Sequence, residues 1–597
     1  MEMDLRILII LVILVAAAIF AVNGEAPRDS FAKIHDIQGD AQLSPLNGQT
    51  VSIEAVVTGD FEGKAKLNGF FVQEEDGEAD SLAETSEGIF VYDPRNMGKK
   101  ENISTGDLVK VTGQVIEYNN LTEINLIQVQ RANDAEKSLQ VTAVQIILPV
   151  EDEQSLEQYE GMLVEFPQEL TVTNNYNFAN FGEKMLSTNG RLPNPTNIVE
   201  PGAPAKSIQS LNKRSQILLD DGSKLSYPSL DPFPKTLRSG DSIQGIKGIL
   251  SYDYGDYRIE PLNISKITIS NPRPERPDEV EGRIKVASFN VENYFNGDGM
   301  GGGFETSLGA RSQEAFNRQR TKIIAAITGM NADVIGLMEL ENDGYGELSA
   351  IRDLVNGLYG FGENENSNYS IIDPGWQKLG TDNITVGLIY NSSKLKPVGQ
   401  AMTISTGAFS ANNRQPLAQT FEELSTGDKF TVVASHLKSK RSPGKTVGLE
   451  NMDNGDGQGY WNGARTNAAK ELVTWIASDP TQSNDPDYII LGDMNSYNYE
   501  DPIQVFKNAS YVDLVATYNG PDAYSYGFEG QWGNLDHILA SQSLAGQIAG
   551  ATVWHINADE SGVFGYDGKW YGPDKFRCSD HDPVIAGLDL SSNSSAS

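Results

Sequence analysis

Several polar residues in the second half of the chain stand where a buried β-strand would not choose them. Asn290 follows Val-Ala-Ser-Phe, Glu339 follows Val-Ile-Gly-Leu-Met, and His436 follows Val-Val-Ala-Ser. Asp493 and Asn495 follow Ile-Ile-Leu-Gly, Asp536 sits inside Asn-Leu-Asp-His-Ile-Leu, and Asp580 and His581 precede Pro583-Val-Ile-Ala. A buried carboxylate is costly unless it is paired or binds a cation. Taken singly, each of these residues reads as a strand-end cap or a turn residue. Repeated over six strand-associated sites, the pattern reads as one site where strand ends meet. The chain has 5 histidines, and His436, His537 and His581 all fall in these motifs. Acids, amides and histidines are also what phosphodiester hydrolysis needs: a positioned water, a metal to meet the charge on the phosphoryl oxygens, and a proton for the leaving oxygen.

The elements that must position these residues follow from periodicity. After Gly282, apolar runs at 284–289, 334–338, 386–390, 430–435, 488–491, 535–539 and 584–588 predict strands, and 312–330 and 464–477 predict helices. Buried strands covered by helices imply a layered α/β domain over 283–590. Upstream, residues 31–268 read as all-β, with short runs of Val, Ile, Phe and Tyr broken by Gly, Asp and Asn turns. Residues 104–118 (Ser-Thr-Gly-Asp-Leu-Val-Lys-Val-Thr-Gly-Gln-Val-Ile-Glu-Tyr) echo residues 238–252. Two related small β-barrels, at 31–135 and 150–268, are the simplest account. Three prolines in 271–282 predict an extended, semi-rigid spacer and a domain boundary.

The motif set Ser288-Phe-Asn290, Met338-Glu339, Ser435-His436-Leu437, Gly492-Asp-Met-Asn495, Leu535-Asp536-His537 and Ser579-Asp-His581 resembles the endonuclease/exonuclease/phosphatase superfamily, in that family's order. Within it the chain looks most like bacterial-type extracellular nucleases with N-terminal oligonucleotide/oligosaccharide-binding (OB) regions. The OB likeness rests on Gly69-Phe-Phe-Val-Gln73 before an acidic turn, with a later Gly-Asp-x-Val-x-Val-x-Gly strand. The resemblance implies a two-sheet α/β sandwich with the site where both sheets present their strand ends. It implies Glu339 as the leading metal ligand, with Asn290 and Asp580 beside it. Hard oxygen ligands suit Mg²⁺ first, then Mn²⁺ or Ca²⁺. It further implies that Asp493 orients or deprotonates the attacking water, that Asn495 holds a phosphate oxygen, and that His581 contacts the phosphate, oriented by Asp536. His436 would act on the leaving group, with Asp382 orienting it. Glu292 reads first as a solvated acid.

The expected partner is nucleic acid, DNA first and RNA second, with no stable protein partner implied. The basic run Lys438, Lys440 and Arg441 follows a site strand and is expected to reach a DNA backbone, with Arg414 and Arg465 as weaker candidates. Residues 451–459, rich in Asp, Asn and Gly, lack the full spacing of an EF-hand loop and read as a flexible loop. Phe71 or Tyr118 would be either a stacking face for single strands or barrel core. The net charge of -35 argues against broad charge-driven binding of nucleic acid and serves solubility. The motifs are shared by sphingomyelinase-like and nucleotide-phosphatase members, so they do not choose a substrate. A non-catalytic nucleic-acid-binding surface protein is the rival from another class, and the intact acid, amide and histidine set speaks against it.

A single cysteine, Cys578, excludes an intrachain disulfide. Residues 1–24 hold Arg6, an apolar run at 7–22 and small residues Val22 and Gly24 at cleavage-like positions, and so read as a signal peptide or an uncleaved anchor. The chain is expected outside the cell, membrane-bound only in the anchored form. The tail 591–597 is polar and expected to be disordered.

Overall fold

The structure, a computed structural model, describes residues 31–591 apart from 81, 133–139, 227–233, 235–236, 298–302, 360–367 and 412. The expected export segment, and the tail beyond Ser591, lie outside the described residues. Among the described residues no helix is long and apolar enough to cross a membrane. The chain divides into two compact units: residues up to 144 with 156–165 and 247–262, and residues 145–155 with 166–246 and 263–597.

The N-terminal strands β1 (Thr50–Phe61), β2 (Gly69–Gln73), β3 (Gly88–Tyr92), β4 (Leu108–Tyr118) and β5 (Leu121–Arg131) form a closed barrel in the order β1-β2-β3-β5-β4. Alternation drives it: Ile53, Ala55 and Val57 on β1 and Val109 and Val111 on β4 share one core with Phe70 and Val72. Asn119 and Asn120, both at positive φ, make the two-residue turn joining β4 to β5. Phe71 is 1% exposed and packs with Phe61 and Phe90, so it is core rather than a stacking face; Tyr118 is exposed.

The second all-β segment supplies β6 (Leu163–Asn174), β7 (Lys184–Ser187), β8 (Gln216–Leu219), β9 (Ser242–Asp253) and β10 (Asp256–Thr268). Their order is β9-β10-β8-β7-β6, with the short strand Val144–Gln145 beyond β6 as the sixth, and an additional pairing joins β9 to β6. Read as a ring, this repeats the 1-2-3-5-4 order of the first barrel. The sequence echo falls on the fourth strand of each ring, β4 and β9.

From residue 284 the chain builds two six-stranded sheets. The first runs Tyr369–Ile371, β14 (Ile384–Asn391), β12 (Val334–Glu341), β11 (Ile284–Tyr294), β21 (Val584–Leu588), β20 (Ile548–Val553), where Tyr369–Ile371 is β13. The second runs β15 (Leu395–Thr403), β16 (Leu417–Glu423), β17 (Lys429–Ala434), β18 (Tyr488–Asp493), β19 (Asp536–Ala540), Val512–Asp513. Alternate residues of both sheets, among them Val286, Val386, Val432, Leu491 and Ile538, fill the core between them. The other face of the first sheet packs on α1 (Gln313–Met330) and α2 (Ala350–Leu358), and that of the second on α3 (Asn462–Ile476). Two sheets back to back, each covered by helices, make the α/β sandwich.

The stretch after β10 is docked along its first residues, not a free spacer. Asn271 Nδ2 donates to Asp559 Oδ2 at 2.8 Å, Arg273 Nη2 to Glu560 at 2.7 Å, and Trp554 Nε1 to the Pro274 carbonyl at 3.1 Å. Asp559 also accepts from Arg191 at 2.7 Å, Arg238 at 3.1 Å and Tyr524 at 3.0 Å. Asp559 is fully buried and Arg238 nearly so, so each charge depends on the others for compensation.

Candidate active site

Topology brings the site together. β11 and β12 are parallel, and β21 runs antiparallel to β11, so the C-terminal ends of the first two meet the N-terminal end of the third. The second sheet repeats this with parallel β17 and β18 and antiparallel β19. Asn290, Glu339, His436, Asp493, Asp536 and His581 therefore collect at one edge of the sandwich, and Asp493 pairs directly with Asp536 in register.

The backbone at this edge is unusual. Register shifts fall between Asn290 and Tyr294 and between Leu337 and Leu340, and such bulges re-aim side chains. Glu292, Asn293, Glu339, Asn495 and Arg577 all have φ between +48° and +65°. That conformation is rare in residues other than glycine and collects at functional sites. Gly492 is required by its neighbour: at φ +145° a Cβ there would lie 1.8 Å from the Ser435 carbonyl oxygen.

Two linked centres emerge. In the first, His581 Nδ1 lies 2.7 Å from Asp536 Oδ2, which also accepts from Ser525 Oγ at 2.7 Å. The Tyr526 ring stacks on His581 at 4.5 Å and 25°. Burial disfavours a charged ring, but Asp536, Asp493 and Asp580 outweigh it and raise His581 well above the ordinary histidine range. Burial also opposes ionisation of Asp493, yet His581, His436 and the Asn495 amide hold it below the usual carboxylate range. Asp493 Oδ2 is the hub, 3.3 Å from Asn290 Nδ2, 3.4 Å from His436 Nε2 and 3.8 Å from His581 Nε2. Burial, then the Arg414 charge, push His436 down to about 4, so its ring is neutral.

The second centre is acidic. Glu339 accepts from Asn290 Nδ2 at 3.3 Å and from the Asn293 amide at 3.1 Å. Burial and the nearby Asp580 push its carboxyl up to about 7. Glu292, expected as a solvated acid, is half-buried; burial raises it to about 8 despite Arg577, whose guanidinium lies 3.5 Å away. Half-buried carboxyls crowded together in this way fit a cation. Glu339 and Asp580 would hold it with Asn290 alongside, all hard oxygen donors.

Other candidates are engaged elsewhere. Asp382 pairs with Arg414 at 3.2 Å rather than orienting His436, whose Nδ1 has no hydrogen-bond partner. Arg414 also donates to the Leu437 carbonyl. Arg465 is fully buried and donates to the Lys438, Tyr460 and Gln458 carbonyls. Lys440 is bound to both Glu500 carboxylate oxygens and to the Gln458 carbonyl. Both cations are thus used inside the protein, where an external phosphate does not meet them. Segment 451–459, expected to be a flexible loop, supplies that Gln458 carbonyl and is tied down by bonds from Gln458 Nε2 to Asp456 and Asp501. Lys438 is half-buried, its Nζ 5.4 Å from the Trp461 ring centre, and Arg441 is exposed. Asn495 spends one amide hydrogen on the Leu437 carbonyl at 3.1 Å.

Sequence reasoning missed Tyr526 and Arg577. Neither sits at the end of an apolar run, and nothing in spacing marks them. Tyr526 is placed by the hairpin Tyr526–Phe528/Gln531–Gly533, whose second strand pairs in parallel with Leu192–Pro193.

Residues 287–581 match the Endonuclease/Exonuclease/phosphatase family. The C-terminal domain belongs to that family. Its enzymes are hydrolases of phosphate esters that typically use divalent metals. Residues 152–269 match a domain of unknown function (DUF8508). No curated protein matches the chain. Among solved structures, the catalytic domain of human Nocturnin is 16% identical, covering 51% of this chain and 93% of that one, with a TM-score of 0.33. A mannosyl-6-phosphatase of Bacteroides thetaiotaomicron is 17% identical, covering 51% and 100%, at 0.34. TDP2 of D. rerio, complexed with a single-strand DNA product, is 13% identical, covering 51% and 97%, at 0.30. Likenesses of this size carry nothing about substrate.

Proposed function

We propose that the chain is an exported, divalent-metal-dependent nuclease that hydrolyses phosphodiester bonds of DNA, with RNA as the second polymer. The observation that carries the reading is the union, at one sheet edge, of an Asp536-held cationic His581, an ionised Asp493 and the acidic Glu339–Asp580 pocket. His581 would hold a phosphoryl oxygen as negative charge grows on it. Asp493, kept ionised, would orient the attacking water and accept its proton. His436, neutral and next to Asp493, would share its single Nε2–H between that carboxylate and the leaving oxygen. Asn495, with one amide hydrogen left, would hold a second oxygen. A divalent cation, with Mg²⁺ the first candidate, would draw charge from the phosphoryl oxygens when bound.

A polymer substrate is supported by the two ring-ordered β segments, which we read as OB-like modules, and by Arg441 and Lys438 beside the site. Export is supported by the N-terminal sequence alone. One observation favours a smaller phosphate ester of the same reaction class: Lys440 and Arg465 are committed internally on a chain of net charge -35. Purified protein incubated with plasmid, linear DNA, RNA, sphingomyelin and a sugar phosphate separates the readings. Cleavage of the nucleic acids is expected; turnover of the sugar phosphate or lipid alone would replace the nuclease reading.

A further inference from the structure

A cavity of about 110 Å³ opens beside the active site, and one of its walls comes from outside the family domain. Asp580, Arg577 and Tyr526 line one side. Asn174, Asn175 and Tyr176, which follow or end β6 in the second β segment, line the other. It is small against the roughly 300–1,000 Å³ of ordinary ligand pockets, so it takes one ring system rather than a whole nucleotide.

The β6 side of this wall is built, not draped. Thr173 Oγ1 donates to the Gly530 carbonyl at 2.6 Å, and Trp532 Nε1 donates to the Thr173 carbonyl at 2.8 Å. Asn175 Nδ2 donates to the Asp559 carbonyl at 2.9 Å, and the Tyr176 amide donates to Asn174 Oδ1 at 2.9 Å. This bracing presents a tyrosine ring that is 76% exposed. A large ring left in water on a loop held by these bonds adds little to the fold. The Arg577 guanidinium also lines the cavity, its Nη1 paired with Glu292 at 3.5 Å and donating to the Ser579 carbonyl. An exposed aromatic face and a ring-sized space lined by polar groups next to the reaction centre are the parts of a base-binding subsite.

We propose that this cavity holds the base next to the scissile phosphate, stacked on Tyr176, so that the second β segment supplies a specificity element of the active site. The inference rests on the nuclease reading. Tyr176 is exposed, and its replacement should leave folding intact. Tyr176→Ala should reduce the preference for an intact oligonucleotide over one abasic beside the cleaved bond, in kcat/KM, by about 5- to 150-fold, the range for losing one base–aromatic stack. Tyr176→Phe should keep that preference. An unchanged preference in Tyr176→Ala would overturn the subsite, as would an equal loss in the Phe variant.

A binding measurement separates this failure from failure of the nuclease reading. By calorimetry in EDTA, the full chain should bind deoxyadenosine monophosphate more tightly than deoxyribose 5-phosphate, and Tyr176→Ala should erase the difference. Base-dependent binding without DNA cleavage would keep the subsite and sink the nuclease reading. Cleavage without base-dependent binding would do the reverse.

Discussion

Replacing Asp536 by Asn tests the His581 centre with the smallest change in shape. Asp536 is fully buried and keeps its Ser525 hydrogen bond in either form. What is lost is the charge 2.7 Å from His581 Nδ1. At an effective dielectric of about 20, that charge is worth up to roughly 6 kcal/mol to a cationic ring. A preorganised contact of this kind contributes about 2.7–4 kcal/mol to the transition state, so kcat should fall by roughly 10²–10³. His581→Ala removes the contact itself and should cost at least as much. Because the pair acts as a unit, the double variant should be scarcely slower than His581→Ala alone. The assay is kcat for all three variants on one substrate, with folding checked by circular dichroism. Losses that multiply would show that the two residues are not partners and would refute the assignment.

The geometry sets further outcomes. Lys440→Met should destabilise the protein, by at most about 3–5 kcal/mol, by taking from buried Glu500 its nearest cation and leaving it Thr196 and the more distant Arg465, read as a lower denaturation midpoint, while Arg441→Ala should leave stability alone and flatten the salt dependence of DNA binding by roughly one unit. Asp559→Ala should cost a similar 3–5 kcal/mol, because Arg191 and Arg238 lose their shared partner; for the same reason a chain begun at residue 283 should be unstable as well as weak in binding. His537 is buried between Asp513, at 2.8 Å, and the Ser496 carbonyl, at 2.9 Å; burial opposes its charge but Asp513 outweighs it and raises it. Its contribution to stability should therefore be full below about 6.5 and fade as pH rises through the raised value, so the melting-temperature gap between wild type and His537→Gln should narrow from pH 6 to alkaline pH; a widening gap would contradict the charged pair.

The sandwich was legible because its strands are short apolar runs whose ends break into polar residues. β11, β12, β14, β17, β18, β19 and β21 start and stop within a few residues of where the apolar pattern does. The grouping of the candidate residues at one sheet edge was legible for the same reason: Glu339 ends the apolar run Val-Ile-Gly-Leu-Met, where a core strand would not choose a carboxylate. Charge partnership was not legible. Lys440 looks like a free cation in sequence, and Glu500, which claims it, lies 60 positions away. The Arg191–Asp559 bond spans 368 positions, so the proline-rich stretch read as a boundary although the residues around it are tied across it. Phe71 shows a third limit, since an aromatic strand residue reads alike whether it faces a barrel core or a ligand.

Plasmid cleavage by the full chain tests metal-dependent phosphodiester hydrolysis at the edge that carries Glu339 most directly. With Mg²⁺ the wild type should nick or linearise the plasmid, EDTA should abolish cleavage, and Glu339→Gln should cut far more slowly at matched Mg²⁺. Undiminished cleavage in excess EDTA, or by Glu339→Gln, would contradict the account.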